Sequence, residues 1–527
     1  MRGALREGVV VRALTLAPLV VGLGLMTAMA VILRRTYGGD AAIYLPYARN
    51  LADGHPFSFN PGQFSSGSTS PLWVVVLSVP YLLGLGYKGA KAFAVLSTGG
   101  AYVASFLAAR RVSGSAPAAG IAALWVVVAL PLYGLIMFES SLVVLVVALG
   151  IWLLAPLLRR PAAEVGTRQL APLVVAWAAL PLARPEAAVL VPIEAGALLL
   201  SWHGGRRQLG RLALAVGIAS LPALAYYGYS LARLGVPSTS VAGRALYLRE
   251  TSTHRLGPLF LSSEGLDYLT SWPAVAAFVP GVAGLVLLAR RAGMRVLAWT
   301  ALAGVGAYVF LVTFVSPGAF DTPRYLLPIA PLLVVGIALA IRALPGAPLQ
   351  VAGALAAAAV LAIASGQTVD GAHNLASTPY SFDTITQRSA AGIVNGLAHP
   401  GDQVLAYEVQ SRYFLRPDVR VLSLDGITDG KVFPYEHRTR VTAFLHRYRP
   451  RFWIADTATD SDRRRPGVAL RRYLQGSVLT DVVRRVYANP RPRRVVAGGI
   501  EFRLLAWRRA LPLRAGVWTM VFELRYA

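Results

Sequence analysis

Long apolar runs recur along the first two thirds of the chain and stop after residue 365. Most are near 20 residues long and carry few charges. At about 1.5 Å per residue, such a helix matches a hydrocarbon core about 30 Å thick, and it satisfies its own backbone hydrogen bonds there. The pattern predicts eleven spanning helices, at 12–33, 89–109, 117–136, 140–158, 169–183, 187–202, 212–233, 272–289, 296–315, 325–341 and 347–365. The first run also has the outline of a signal sequence, with arginines before it and Ala28-Met29-Ala30 near its end, but its length favours an uncleaved span.

Residues 71–86 break the pattern. The stretch has 16 residues, starts at Pro71 and contains Pro80. Counting it as a span would invert everything that follows, and arginine placement decides against that. With 71–86 lying in the outer interface as a juxtamembrane or re-entrant helix, the cytoplasmic segments are 1–12, 110–116, 159–169, 203–211, 290–295 and 342–346. Together these hold 15 Lys/Arg in about 50 residues, far denser than the opposite side, as the positive-inside rule requires. The N-terminus is then cytoplasmic and the C-terminus extracytoplasmic.

The fold class expected is therefore mainly α, polytopic, with a soluble α/β domain at the C-terminal end. The expected boundary divides a membrane domain, 1–365, with its outer loop at 37–88, from a tail at 366–527. In the tail, 385–398 has the periodicity of an amphipathic helix. QVLAYE (403–408), VRVLSLD (419–425), RFWIAD (451–456), VVAGGIEFRLLAW (495–507) and VWTMVFELRYA (517–527) read as strands.

Composition agrees. Hydrophobic residues make up 55% and charged residues 14%, and mean hydropathy is +0.55. The chain has no cysteine, which excludes disulfides, thiolate metal sites and thiol nucleophiles. Net charge is +26, and 367–527 contributes 25 Lys/Arg against 14 Asp/Glu. That excess suits a solvated surface, anionic lipid heads or an acidic envelope polymer. Nucleic acid is not expected as a partner for an outer domain.

Ionisable groups in or beside spans are functional candidates. In this topology they gather on the outer side: Asp40, Glu139, Arg184, Glu186, Arg244, Arg249, His254, Arg255, Asp321 and Arg324. The first outer loop, 37–73, is the most informative. Ile43, Tyr47 and Leu51 recur at helical spacing behind Asp40, which predicts an amphipathic helix with a carboxylate at its positive end. Asp40 can serve as a plain helix cap or as a base. Glu139 can be an N-cap, Arg184 and Glu186 can pair across a turn, Arg324 can be an interfacial anchor, and Tyr47 and Trp73 can be aromatic-belt residues.

The loop resembles the first outer loop of GT-C superfamily glycosyltransferases, whose bacterial form is approximately D-D-A-Y-I-x-x-R-Y-A-x-N-L-x-x-G-x-G-x-x-x-N-x-G, then a Gly/Ser/Thr stretch and P-L-W. Matching positions are Asp40, Ala41, Ile43, Tyr47, Ala48, Asn50, Leu51, Gly54, Asn60, Gly62, Ser68, Pro71, Leu72 and Trp73. Weaker echoes follow in order: MFESSL around Glu139, ARPE (183–186), GVPSTSVAGRA (235–245) and PRYLLPIAP (323–331). The pattern is closest to mycobacterial-type terminal arabinofuranosyltransferases and related actinobacterial members. Gly39 stands where the first acid of D-D is usual, Pro46 replaces Arg, and Arg244 replaces Lys.

The resemblance implies an enzyme that moves a sugar, such as arabinofuranose or a hexose like mannose, from a polyprenyl-phosphate donor to a glycan or glycolipid acceptor at the outer membrane face. Asp40 would be the base of an inverting reaction. Arg324, then Arg184 and Arg244, would hold the donor phosphate. Glu139 and Glu186 would stabilise the oxocarbenium-like sugar or bind its hydroxyls. Tyr44, Tyr47, Asn60, Ser68, Trp73 and Tyr325 would line the substrate. The histidines have no metal-ligand spacing, so no structural metal is expected, although a divalent ion (Mg or Mn) is common where donors carry pyrophosphate. A transporter or flippase for a lipid-linked substrate is the competing class. The chain shows no obvious internal repeat and its charges gather at one face, which favours the enzyme. The missing first acid leaves room for a non-catalytic glycolipid binder.

Overall fold

A computed structural model describes residues 2–36, 38–202, 205–242, 254–256, 259–261, 272–290, 294–312, 323–346, 383–406, 409–424, 440–458, 477–487, 493–509 and 517–527, with short pieces at 349–376 and 426–431. The chain divides into two compact units. One comprises Met1–Arg34, Lys91–Tyr226 and Thr253–His373; the other comprises Arg35–Ala90, Tyr227–Ser252 and Asn374–Ala527.

The first unit is a helix bundle. Its helices are α1 (Arg2–Ile32), most of α4 (Gly86–Ser113), α5 (Ala116–Ala129), α6 (Pro131–Leu135), α7 (Ser140–Leu157), α8 (Thr167–Ala183), α9 (Leu190–Ser201) and most of α10 (Arg206–Leu234). They are followed by a two-stranded antiparallel ribbon, β3 (His254–Leu256) with β4 (Leu259–Leu261), and by α11 (Trp272–Ala289), α12 (Arg295–Phe310) and α13 (Ala330–Ala343). Four described segments have both the length and the hydropathy to cross a bilayer: Gly86–Ser113, Ser140–Leu157, Arg206–Leu234 and Arg324–Ala343. Helix α7 is buried along most of its length, whereas α10 exposes Leu209, Leu214, Ile218, Leu221 and Leu224. Apolar side chains outward on a long helix fit a lipid solvent.

Helices α11 and α13 cross on glycine. A Cβ at Gly284 would overlap the Gly336 carbonyl, and one at Gly336 would overlap the Gly281 carbonyl, so the two backbones touch. Such contact is a common way for membrane helices to associate. The span expected at 117–136 is broken, because Pro131 starts a new helix after Leu130. The span expected at 325–341 begins as a 3-10 turn, Pro323–Ile329, and that at 187–202 follows a 3-10 turn, Pro185–Val189. Most of 347–365 lies outside the described residues, as do Arg244, Arg249 and Asp321.

The second unit joins the first outer loop to the tail. The loop folds as α2 (Ala41–Ala52), a small ribbon of β1 (Ser58–Asn60) and β2 (Gln63–Phe64), and α3 (Pro71–Leu82). Helix α3 has 12 residues. Its length of about 18 Å is too short for a hydrocarbon core of about 30 Å. Val75, Val79 and Leu82 form an exposed apolar stripe opposite the buried Trp73, Val74 and Leu77, as expected of a helix reclining at a lipid surface.

The tail holds a six-stranded sheet in the order β6-β5-β7-β10-β9-β8, built from β5 (Gln403–Ala406), β6 (Arg420–Ser423), β7 (Phe452–Ala458), β8 (Arg494–Ala497), β9 (Ile500–Arg509) and β10 (Val517–Tyr526). Strands β6, β5 and β7 are parallel, and the remaining pairs are antiparallel. Helices α15 (Val441–Tyr448) and α16 (Val478–Tyr487) share a core with Trp453, Phe502 and Phe522, while α14 (Asp383–Leu397) contacts β9 and β10. The run 495–507, expected as one strand, is a hairpin. Gly498 and Gly499 both have positive φ, 58° and 74°, and form its two-residue turn.

Loop and tail are tied directly. Asn60 Nδ2 donates to the Val421 carbonyl and Asn60 Oδ1 accepts from the Val421 amide, both at 2.9 Å. The loop and β6 therefore lie on one side of any membrane the helices cross. Single cysteines at the exposed Asp53 and Arg420 of this cysteine-free chain should react with a membrane-impermeant maleimide from the same side. Labelling from opposite sides would contradict the docking.

Candidate active site

Three short segments of the first unit meet around Arg184. The first is the turn from α6 to α7. Lys91 donates to the Leu135 carbonyl at the end of α6, where a cation is electrostatically favoured. Met137 follows with φ 68°, a left-handed conformation costly for an unbranched bulky residue and typical of functional turns. The turn delivers Phe138 and Glu139. Glu139 occupies the N-cap position of α7 but makes no capping bond through its side chain. Its carboxylate instead accepts from Arg184 Nη1 at 2.7 Å.

Arg184 ends α8 in extended backbone, and Glu186 lies in the turn after it. Arg184 Nε is 3.4 Å from Glu186 Oε2, so the expected turn pair forms, with Glu139 as the closer partner. Arg184 and Glu139 are 3% and 2% exposed and Glu186 is 11% exposed, so only Glu186 keeps appreciable access. Burial alone would lower the Arg184 pKa. The charges of Glu186 and Glu139, with Tyr308 and Tyr325 also contributing, outweigh it and hold the guanidinium above the usual arginine range.

The third segment is the 3-10 turn Pro323–Ile329. The Arg184 guanidinium carbon lies 4.1 Å from the Tyr325 ring centroid. Arg324 lies 4.5 Å from the Phe138 ring and 5.0 Å from the Tyr325 ring, and donates to the Tyr325 hydroxyl at 3.2 Å. Five expected site residues, Glu139, Arg184, Glu186, Arg324 and Tyr325, are thus brought together.

Asp40 belongs to the second unit. It holds the N-cap position of α2, its carbonyl accepting from Ile43 and Tyr44 amides, but its carboxylate makes no capping bond. Tyr44, Tyr47 and Trp73, three of the aromatic residues expected to line substrate, are buried in the same loop region. The Tyr44 hydroxyl meets Thr69 at 2.6 Å, the Tyr47 hydroxyl bonds Ser65 and accepts from the Gly67 amide, and Trp73 is fully buried in α3. Ser68 accepts from the Ser70 amide, and Asn60 is committed to Val421. Ser66 accepts from the Ser230 hydroxyl at 2.7 Å and the Thr239 amide at 3.0 Å, which joins the loop to the Pro-Ser-Thr segment after α10.

One buried acid escaped the sequence reading. Glu194, inside α9, accepts from Trp177 Nε1 at 2.7 Å and lines an apolar cavity of about 20 Å³ with Ile151, Leu190, Leu285 and Leu332. Its signal was an acid within an apolar run, the feature that marks functional candidates. Lys91, early in α4, carried the same signal. Among the described residues no group of three or more His, Asp or Glu could hold a metal ion.

No family model matches the chain, and no curated protein matches it significantly. Solved structures do. The crystal structure of ArnT from Cupriavidus metallidurans bound to undecaprenyl phosphate is 15% identical with TM-score 0.55, and the apo ArnT structure is 15% identical with TM-score 0.57. Each comparison covers 98% of both chains. The apo oligosaccharyltransferase of Archaeoglobus fulgidus is 13% identical, with TM-score 0.52 over 84% of this chain and 69% of that one. The chain shares the overall fold of these structures. At these identities the likeness speaks for the fold alone, and it agrees with the architecture that the GT-C loop motif implied.

The ion-pair cluster in this helix bundle is testable by stability. Glu139→Gln removes the nearer counter-charge of a buried cation and should cost about 3 kcal/mol of unfolding free energy in detergent. Adding Arg184→Met should recover more than half of that loss. An unchanged thermal melt for Glu139→Gln would rule out a tight pair.

Proposed function

We propose that the chain is an inverting glycosyltransferase that moves a sugar from a polyprenyl-phosphate donor to a cell-envelope acceptor at the outer face of the cell membrane. The observation that carries this reading is the end-to-end fold likeness to ArnT, one structure of which binds undecaprenyl phosphate. The loop motif around Asp40 and the arginine asymmetry support it. Arabinofuranose is the first sugar to test, because the sequence pattern is closest to terminal arabinofuranosyltransferases. The N-terminus is cytoplasmic, residues 1–365 form the catalytic membrane domain, and the tail is extracytoplasmic.

In the proposed step, an acceptor hydroxyl oxygen forms a bond to the anomeric carbon while Asp40 takes its proton. The bond from that carbon to the lipid phosphate oxygen breaks, and the phosphate leaves with the electron pair. Asp40 takes the base role because it is the acid of the loop motif and stands at the start of α2. The leaving phosphate requires a cation. Arg184 is held between two carboxylates, so Arg324 takes that role, with Arg244 behind it. Arg184 then orients Glu139 and Glu186, and the partly exposed Glu186 is the better placed of the two acids to meet sugar hydroxyls.

Purified protein in lipid nanodiscs, supplied with a panel of polyprenyl-phosphate sugars, tests the proposal. Wild type should transfer or hydrolyse at least one donor. Asp40→Asn should lose about 10²–10⁴-fold in kcat with an unchanged thermal melt, and Arg324→Met should raise donor KM. Turnover of no donor would refute the function, and full activity in Asp40→Asn would remove Asp40 from the base role.

A further inference from the structure

Asn50, Gly54, Asn60 and Gly62 belong to the loop motif, yet none carries charge. Their geometry has another use. Gly54 and Gly62 have φ of 83° and 74°, left-handed turns that glycine takes without strain. These turns fold β1 back along α2 and present it to the tail. Asn50 Nδ2 then donates to the Ser58 carbonyl at 2.8 Å and the Phe59 carbonyl at 3.0 Å, which fastens β1 to α2.

The tail grips the same backbone. β6 is an edge strand, and an edge leaves amides and carbonyls without a ladder partner. The Asn60 side chain takes both of these groups on Val421, as a further strand would. Arg412, fully buried, donates to the Arg416, Pro417 and Val419 carbonyls and through Nε to Phe59 at 3.3 Å. Burial, and then the neighbouring Arg49 charge, push the Arg412 pKa down to about 10, which leaves it cationic at neutral pH. The Phe59 carbonyl thus accepts from α2 on one side and from the tail on the other. A second relay runs from the Tyr47 hydroxyl to Ser65, whose hydroxyl donates to the Thr428 carbonyl. Tyr47 and Asn50 are three residues apart and share one face of α2.

We infer that the C-terminal domain is a positioning clamp for the helix that carries Asp40, acting through Asn60 and Arg412 on Asn50 and through Thr428 and Ser65 on Tyr47. This rests on Asp40 as the base. Asp40 begins a 12-residue helix whose last two turns are held at two points by the tail. A rigid helix transmits any change of tilt at its far end to its first residue. The tail acts by setting where the carboxylate stands. Asn60, Arg412, Asn50 and Tyr47 are accordingly positioning residues.

The test combines kinetics with hydrogen exchange on the full chain in nanodiscs. Asn60→Ala cuts the first relay. Tyr47→Phe cuts the second while keeping the buried ring, so it folds even if Asn60→Ala does not. Each should speed amide exchange in 41–52, and Asn60→Ala also in 420–423, without changing 140–157. Each should lower kcat about ten- to a hundredfold, the scale of an ångström of misplacement, with donor KM within about twofold. Faster exchange with unchanged kcat overturns the positioning role, and unchanged exchange in both variants overturns the clamp. If wild type turns over no donor, the glycosyltransferase reading fails by itself, and the exchange data alone decide the clamp.

Discussion

A guanidinium shut away from water must be answered by nearby carboxylates, and Arg184 meets that requirement with Glu139 and Glu186. Satisfying it draws three separate stretches of chain together. The α6–α7 turn brings Glu139, the end of α8 brings Arg184 and Glu186, and the turn before α13 brings Tyr325 and Arg324. None of these segments is regular α-helix where it meets the others. The departures, Met137 in the left-handed region and the two 3-10 turns, occur where helices end and side-chain charges can be concentrated. The bundle beneath is held by apolar packing and by glycine contacts between α11 and α13, which carry no such charge.

The second unit meets a different constraint. A short, partly apolar loop has too little core to fix a helix by itself. Here the loop draws on the tail for partners, through Val421, Thr428 and the Arg412 fork. Asp40 therefore stands on a helix whose geometry depends on residues more than 350 positions away.

Much of this was legible in the sequence because its signals are local. Apolar run length located most helices, arginine placement marked 71–86 as reclining rather than spanning, and the loop motif drew attention to Asp40. The rest depended on long-range partners. Glu139 was open to two readings, an N-cap or an acid of the site; it occupies the cap position without a capping bond, and its carboxylate pairs with Arg184. Asn60 was read from the motif as a substrate contact, and its hydrogen-bond partner Val421, 361 residues along the chain, gives no local signal. The Gly498-Gly499 hairpin was locally readable and was missed, since the apolar residues on both sides masked the turn. Glu194 was missed because one acid scarcely alters the hydropathy of its run.

The proposed reaction is a single displacement at the anomeric carbon, with Asp40 as base and the lipid phosphate as leaving group. The anomeric configuration of the product, read by NMR from a donor of defined configuration, tests it most directly. Inversion is the expected result. Retention would require a covalent or front-face route and would contradict the role given to Asp40.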